Sequence, residues 1–360
     1  MAGSLTNIAM AAGHNYCPYI KNKMHKTPSY IVVVGASAGG LNSIIELSAQ
    51  LKKEMDIAVL VVLHLSHMSI PDVLIGRLQK NTAFTCKIAE DGEAIKAHHL
   101  YLAVPDKHLL LKGNKIILGN GTAENRWRPS IDVLFRSAAA EHDGRTIGII
   151  LTGLLQDGTA GMQAIKRCGG MAIVQDPSEA EYPDMPLSVL NNVQVDYCVP
   201  LSVIGDLLLE KSRSAPSEKM EIPNDIAKEA AIAQRVVTSI EGLKELGQHS
   251  LYSCPDCGGG LWEIISGGIT RYRCHTGHVY TENELLLKQS EALEDTLWIA
   301  LRMLEERKAL LDKMAKEEGG KGWTRMAAQK TERSAELDVH IERLKQILFH
   351  TKDHLVSVAN

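Results

Sequence analysis

The 360-residue chain holds 45% hydrophobic and 23% charged residues and a formal net charge of −4. That balance belongs to a folded globular protein and offers no global basic field to nucleic acid or anionic lipid. Its apolar runs, such as Ile31–Val34 and Ile57–Leu65, are strand-length and fall short of the roughly 20 residues of a membrane helix, so no membrane insertion is expected.

Residues 1–29 read as an N-terminal extension without the long apolar stretch of a secretory signal; Met24 is an alternative start. Seven cysteines are an odd number and lie scattered except for Cys254, Cys257 and Cys274. They predict a reducing, cytoplasmic compartment rather than a disulfide framework.

Residues 30–210 alternate strand and helix. Tyr30–Val34 leads through a Gly-rich turn into a helix over Leu41–Lys53, and Ile57–Leu63 leads into a helix over Pro71–Lys80. Such continuous apolar strands predict a doubly wound α/β fold with a mostly parallel sheet covered on both faces. Residues 99–118 interrupt the rhythm with three short runs, the last two joined at Lys112-Gly113-Asn114 as an inserted β-hairpin. The alternation resumes with a helix from Ser130, a strand at Thr146–Thr152, a helix from Thr159 and a strand at Met171–Gln175. Residues 211–249 read as a Ser/Pro/Lys/Glu-rich linker and a helix. A compact Cys/Gly module follows at 250–282. The stretch 283–354 carries near-heptad leucines (Leu293, Leu297, Leu304; Leu337, Leu344, Leu348) broken near Gly319-Gly320. It reads either as a helical hairpin or as a coiled coil that pairs two copies in a homodimer.

Gly35-Ala36-Ser37-Ala38-Gly39-Gly40 lies between a strand and a helix with the G-x-S-x-G spacing of a nucleophile elbow. A phosphate-binding turn is the competing reading. Against it, the glycines do not fall as G-x-G-x-x-G, the second strand ends in His64 rather than an acidic residue, and a Walker lysine is absent. His64 caps the second strand, where an open parallel sheet presents its ligand-facing ends; His67 would be a surface or core histidine. Asp157 follows another strand within Leu151-Thr152-Gly153-Leu154-Leu155-Gln156-Asp157-Gly158. It reads either as the third member of a Ser-His-Asp set or as the N-cap of the next helix. Arg128 and Asp132 read as a surface cation and a residue beside a helix start, entered and capped by Pro129 and Ser130.

With these motifs in order, the chain resembles the catalytic domain of CheB, the protein-glutamate methylesterase of bacterial chemotaxis. The resemblance runs through Ile31–Gly40, His64, Arg128–Phe135, Leu151–Gly158, Gln175-Asp176 and Met185-Pro186, and covers about residues 30–210. It implies hydrolysis of glutamyl methyl esters on chemoreceptors, or on another methylated signalling protein, with release of methanol and with glutamine deamidation as a related activity. It implies Ser37 as nucleophile, His64 as base, Asp157 as orienter of the base, and backbone amides near Ala38 and Leu154 as oxyanion donors, with no catalytic cofactor. Ala38, Leu154-Leu155 and Leu187 depart from the family pattern, and they fall on substrate contacts rather than on the triad. The residues before position 30 are too few for a receiver domain, so control by phosphorylation in cis is not expected. Two further readings stand beside this one: an esterase outside chemotaxis, and a non-catalytic, zinc-bearing adaptor.

Cys254-Pro255-Asp256-Cys257 is followed, after residues 258–273, by Cys274-His275-Thr276-Gly277-His278. C-x₂-C…C-x₃-H supplies four ligands of the kind tetrahedral zinc prefers, and four protein ligands predict a structural rather than a catalytic metal. His278 is the expected fourth ligand and His275 the alternative. The block is similar to a zinc-ribbon-like extension on some receiver-less CheB-like proteins.

Overall fold

The computed structural model describes residues 27–64, 71–142, 144–214, 220–234 and 240–358, with side chains to residue 349. His67, Met24 and most of the N-terminal extension lie outside them. The first half consists of β1 (Tyr30–Ala36), α1 (Gly40–Ala49), β2 (Ile57–Leu63), α2 (Pro71–Gln79), β3 (Thr85–Ile88), β4 (His99–Leu102), β5 (His108–Lys112), β6 (Lys115–Gly119), α3 (Ile131–Glu141), β7 (Thr146–Ile150), α4 (Thr159–Arg167), β8 (Met171–Gln175), α5 (Asp184–Asn192), β9 (Tyr197–Val199) and α6 (Leu201–Arg213).

Seven strands form one sheet in the order β3-β4-β2-β1-β7-β8-β9, and every neighbouring pair is parallel. The fully buried β-branched runs of β1 and β2 suit a sheet covered on both sides. On one face Ile44 and Leu47 of α1, Leu74 and Leu78 of α2 and Ile204 and Leu208 of α6 pack against Val32, Val34 and Val61. On the other, Leu134 and Phe135 of α3, Ile165 of α4 and Val189 of α5 pack against Val33, Leu60 and Val62. Two apolar layers of this kind supply most of the driving force for folding.

The stretch 99–118 is only partly an insertion. His99–Leu102 joins the main sheet between β2 and β3, and only β5 and β6 form the expected antiparallel hairpin. The hairpin falls on the last two of the three runs, as their turn at Lys112-Gly113-Asn114 predicts, while the first run belongs to the main sheet.

Beyond α6 come α7 (Asn224–Gln234) and α8 (Ile240–Lys244), then β10 (Gln248–Ser253), β11 (Gly260–Ser266), β12 (Ile269–Cys274) and β13 (Val279–Thr281), which form a four-stranded antiparallel ribbon. The long helices α9 (Glu282–Gly320) and α10 (Thr324–Val358) run antiparallel, with Lys308 paired to Asp338 and Lys345 to Glu305. Helix α9 begins with a capping box between Thr281 and Glu284. Leu301, Ile341 and Leu348 form the buried apolar seam between the two helices.

The ribbon docks on the α/β unit through buried charge. Arg271 of β12 makes two hydrogen bonds, at 2.8 and 2.7 Å, to Glu229 of α7. Arg136 of α3 holds Glu124 at 2.8 and 2.9 Å and lies 3.5 Å from Glu229. Burial alone would raise the Glu229 carboxyl, but Arg271 and Arg136 outweigh it and bring it down to about 2.

Candidate active site

Ser37, His64 and Asp157 come from the C-terminal ends of three adjacent strands. Central β1 ends just before Ser37, β2 ends just before His64, and the loop after β7 carries Asp157. That rim is where open parallel sheets present their ligand sites. The Ser37 hydroxyl lies 3.2 Å from His64 Nδ1, and His64 Nε2 lies 3.0 Å from Asp157 Oδ2. An acceptor-only carboxylate against Nε2 fixes the proton there, which leaves the Nδ1 lone pair facing the serine hydroxyl. The His64 and Asp157 side chains are 1% and 2% exposed, whereas Ser37 remains half-buried and reachable.

The elbow is woven to its neighbours by backbone. Ser37 N–H donates to Thr152 O at 3.0 Å, and Gly153 N–H donates to Tyr182 O at 2.9 Å. The Thr152 hydroxyl donates to Ala38 O at 3.1 Å and accepts from Tyr182 N–H at 2.8 Å. Gly39 sits at φ 72°, and a Cβ there would lie 2.7 Å from Glu181 Oε2, so this turn requires glycine. Among the described residues the amides of Ala38 and Leu154 have no hydrogen-bond partner.

Asp157 is the most heavily bonded group in the site. It does not cap the helix that follows it, since Gly158 is the N-cap of α4 and no side chain caps it. Instead it accepts from Ile131 N–H at 2.7 Å and Asp132 N–H at 3.2 Å, at the start of α3. Ser130, expected to cap α3, turns its hydroxyl to Asp157 Oδ1 at 3.0 Å. Burial pushes the Asp157 carboxyl up, but the hydrogen bonds from His64, Asn125 and Ile131, with the charge of His64, hold it below the usual range. A helix N-terminus favours the same anion.

Three side chains that the sequence did not place in the site, Asn125, Asp132 and Trp127, complete this layer. Asn125 is buried and its Nδ2 donates to Asp157 Oδ1 at 2.9 Å and to Asp132 Oδ2 at 2.7 Å. Asp132, read as a residue beside a helix start, is buried, and its Oδ1 accepts from Gly161 N–H at 2.6 Å. Burial, then the nearby Asp157 and Glu124, push its carboxyl up to about 7. Trp127 stacks on the His64 ring with centroids 4.1 Å apart and planes 9° from parallel. A cavity of about 370 Å³ opens beside His64, with Arg126, Trp127, Arg128, Asp106 and His278 among its lining residues. Arg128 is exposed, as expected, and donates to Gly121 O at 3.0 Å.

The cysteine-histidine cluster is assembled in the ribbon. One ligand atom from each of Cys254, Cys257, Cys274 and His278 lies within 4.8 Å of the others, and His275 is not among them. Cys257 Sγ and Cys274 Sγ are 3.7 Å apart, and His278 Nδ1 lies 3.6 and 3.4 Å from Cys254 Sγ and Cys274 Sγ. A tetrahedral metal with bonds of about 2.3 Å to sulfur and about 2.0 Å to nitrogen requires ligand separations of about 3.5–3.8 Å. The cluster fits. Gly258 N–H bonds back to Cys254 O at 2.8 Å, which closes the tight knuckle turn.

A doubly wound sheet with a hydroxyl, an imidazole and a carboxylate linked in series at its C-terminal rim has the arrangement of a serine hydrolase, in the chain order Ser…His…Asp. The family model described as CheB methylesterase matches residues 32–208. A Leptospira interrogans protein named "Putative protein-glutamate methylesterase/protein-glutamine glutaminase" is 37% identical over 179 residues, covering 49% of this chain and 92% of that protein. A Thermotoga maritima protein named "Protein-glutamate methylesterase/protein-glutamine glutaminase" is 34% identical over 184 residues, covering 50% of this chain and 53% of that one. The crystal structure of the Thermotoga maritima CheB methylesterase catalytic domain matches with a TM-score of 0.49 at 34% identity, covering 51% of this chain and 98% of that one. The chain belongs to the CheB methylesterase family.

Proposed function

We propose that the chain is a protein-glutamate methylesterase that removes methyl esters from glutamyl residues of chemoreceptors, and that it also deamidates receptor glutamines. Ser37 is the nucleophile, His64 the general base and Asp157 the group that orients and charges the base. The observation that carries this reading is the pair of distances, 3.2 Å from Ser37 Oγ to His64 Nδ1 and 3.0 Å from His64 Nε2 to Asp157 Oδ2, in a member of this family.

A neutral hydroxyl is a poor nucleophile, so His64 takes the Ser37 proton as Oγ bonds to the ester carbonyl carbon. Asp157 stabilises the resulting imidazolium. The carbonyl oxygen gains negative charge, and the unpartnered amides of Ala38 and Leu154 are the candidate donors to it; one such donor is worth about 10²–10³ in rate. The carbon–oxygen bond to the methoxy group then breaks, His64 supplies its proton, and methanol leaves. Water, deprotonated by His64, attacks the acyl-serine and restores Ser37 and a glutamate. With a glutamine substrate the leaving group is ammonia.

The ribbon's Cys254, Cys257, Cys274 and His278 hold a structural zinc in this reading, supported by their spacing and by four protein ligand atoms gathered within 4.8 Å, the number a closed tetrahedral site takes. Thiolate ligation of this kind suits a reducing, cytoplasmic compartment. Among the described residues no helix is long and apolar enough to cross a membrane.

Labelling with a serine-directed fluorophosphonate tests the proposal. Modification confined to Ser37 supports the enzyme. No modification of wild-type protein favours the zinc-bearing adaptor. Release of labelled methanol from methylated receptor membranes separates a chemoreceptor esterase from one acting on another protein.

A further inference from the structure

We propose that Trp127 and Asn125 are positioning residues for His64 and Asp157, and that the cysteine-histidine ribbon holds both in place. The inference rests on reading Ser37, His64 and Asp157 as the triad, and it concerns what keeps that triad assembled.

The loop 124–128 does two jobs. Trp127 lies flat on the imidazole at 4.1 Å, which blocks rotation of the ring away from Ser37. An indole face also attracts a cation, so it stabilises the imidazolium that forms only as the proton moves. Asn125 donates to both buried carboxylates, tying Asp157 to Asp132 and fixing the oxygen that does not face His64. Asn125 Oδ1 is buried without a partner, so the amide is oriented by what it gives rather than by what it receives.

This loop is not at rest on its own. Asn125 and Arg126 hold consecutive left-handed backbones, φ 52° and 68°, a sparsely populated conformation that persists where the surroundings fix it. The ribbon provides the fixing contacts. Asn125 N–H donates to Val279 O at 2.9 Å, one residue beyond the candidate ligand His278, and Glu124 bridges to Val279. His278 O in turn accepts from Cys274 N–H at 3.0 Å, so the clasp begins inside the ligand knuckle. Arg126 pairs with Glu291 of α9 at 2.7 Å, and the Glu124 carboxylate is held by Arg136 and lies 3.9 Å from Arg273 of the ribbon. The chain of contacts therefore runs from the ligands through Val279 to Asn125 and Trp127, and ends on the triad. Second-layer contacts of this sort set how tightly a reacting group is aimed.

The test uses the whole 360-residue chain and four variants. Trp127→Leu removes the aromatic face at a half-buried position, and kcat falls about 2- to 30-fold, the equivalent of about 0.5–2 kcal/mol, with KM near that of wild type. Trp127→Phe keeps a face and recovers most of that loss. Equal kcat in all three proteins, or equal losses in Phe and Leu, overturns the role of Trp127. Cys257→Ser loosens the ribbon, so hydrogen exchange at the Asn125 amide rises and fluorophosphonate labelling of Ser37 slows. Glu291→Gln, which leaves the ligands intact, moves both readouts the same way by less. Unchanged exchange and labelling in both variants overturns the ribbon's part. A wild-type protein that neither labels nor turns over ester instead refutes the reading of the triad itself, so the two failures are distinguishable.

Discussion

Asp157 and Ile131 are joined by a 2.7 Å hydrogen bond from the first amide of α3 to the carboxylate that also faces His64. One side chain therefore serves as partner of the imidazole and as the anion at a helix N-terminus. The 3.0 Å contact to His64 Nε2 defines the first role, and the second helps explain why the carboxyl stays ionised while buried.

Replacing Asp157 by Asn should therefore damage two properties at once. The amide offers His64 Nε2 a donor as readily as an acceptor, so the imidazole tautomer is no longer fixed; turnover should fall by about 10⁴. The anion at α3 is lost as well, costing about 1–3 kcal/mol for hydrogen bonds to a charged group. Steady-state kinetics and urea unfolding on the same preparation check both. A variant that loses activity at full stability would show that the α3 contacts carry no weight.

Gly153 is a test of geometry rather than chemistry. A Cβ there would lie 2.2 Å from Met185 Sδ and 2.8 Å from Ser37 Cβ. Gly153→Ala should cost about 1–3 kcal/mol in overpacking. By moving Ser37 off line it should reduce kcat about 10- to 100-fold. Comparing the melting temperature with single-turnover rates measures the two separately.

The buried Glu229 predicts an acid-side stability change. Its folded carboxyl titrates near 2, below its ordinary 4.5. A depressed pKa contributes stability that is fully present above the unfolded value and is lost as pH falls from about 4.5 towards 2. Glu229→Gln should flatten that part of the stability curve. At neutral pH it should cost about 3–5 kcal/mol, since it leaves Arg271 buried without its anion. Denaturant titrations at several pH values check the slope and the offset.

Metal content gives a fourth expectation. Purified protein should carry one zinc per chain by native mass spectrometry, and Cys257→Ser should lose it. Metal-free protein that keeps the ribbon's hydrogen-exchange protection would argue for unligated thiols.

The side chains of the proposed triad and of the cysteine-histidine cluster were legible in the sequence because each is marked locally. Ser37 lies in a small-residue turn, His64 directly follows a strand, Asp157 lies in the loop after one, and the cysteines carry their own spacing. Asn125 and Trp127 were not, because they sit in a loop without period whose shape depends on Val279, about 150 residues further along. Asp132 looked like an ordinary residue of a helix's first turn, and only the approach of Asp157 and Gly161 makes it a buried carboxyl. Strand β3, Thr85–Ile88, alternates polar and apolar residues at the sheet edge and left no apolar run to find.

The most direct measurement is methanol released from methylated receptor membranes by wild-type protein and by the Ser37→Ala variant, with unfolding curves for both. The account predicts release by the wild type and none above background by a variant that folds as well. Undiminished release by Ser37→Ala would contradict it.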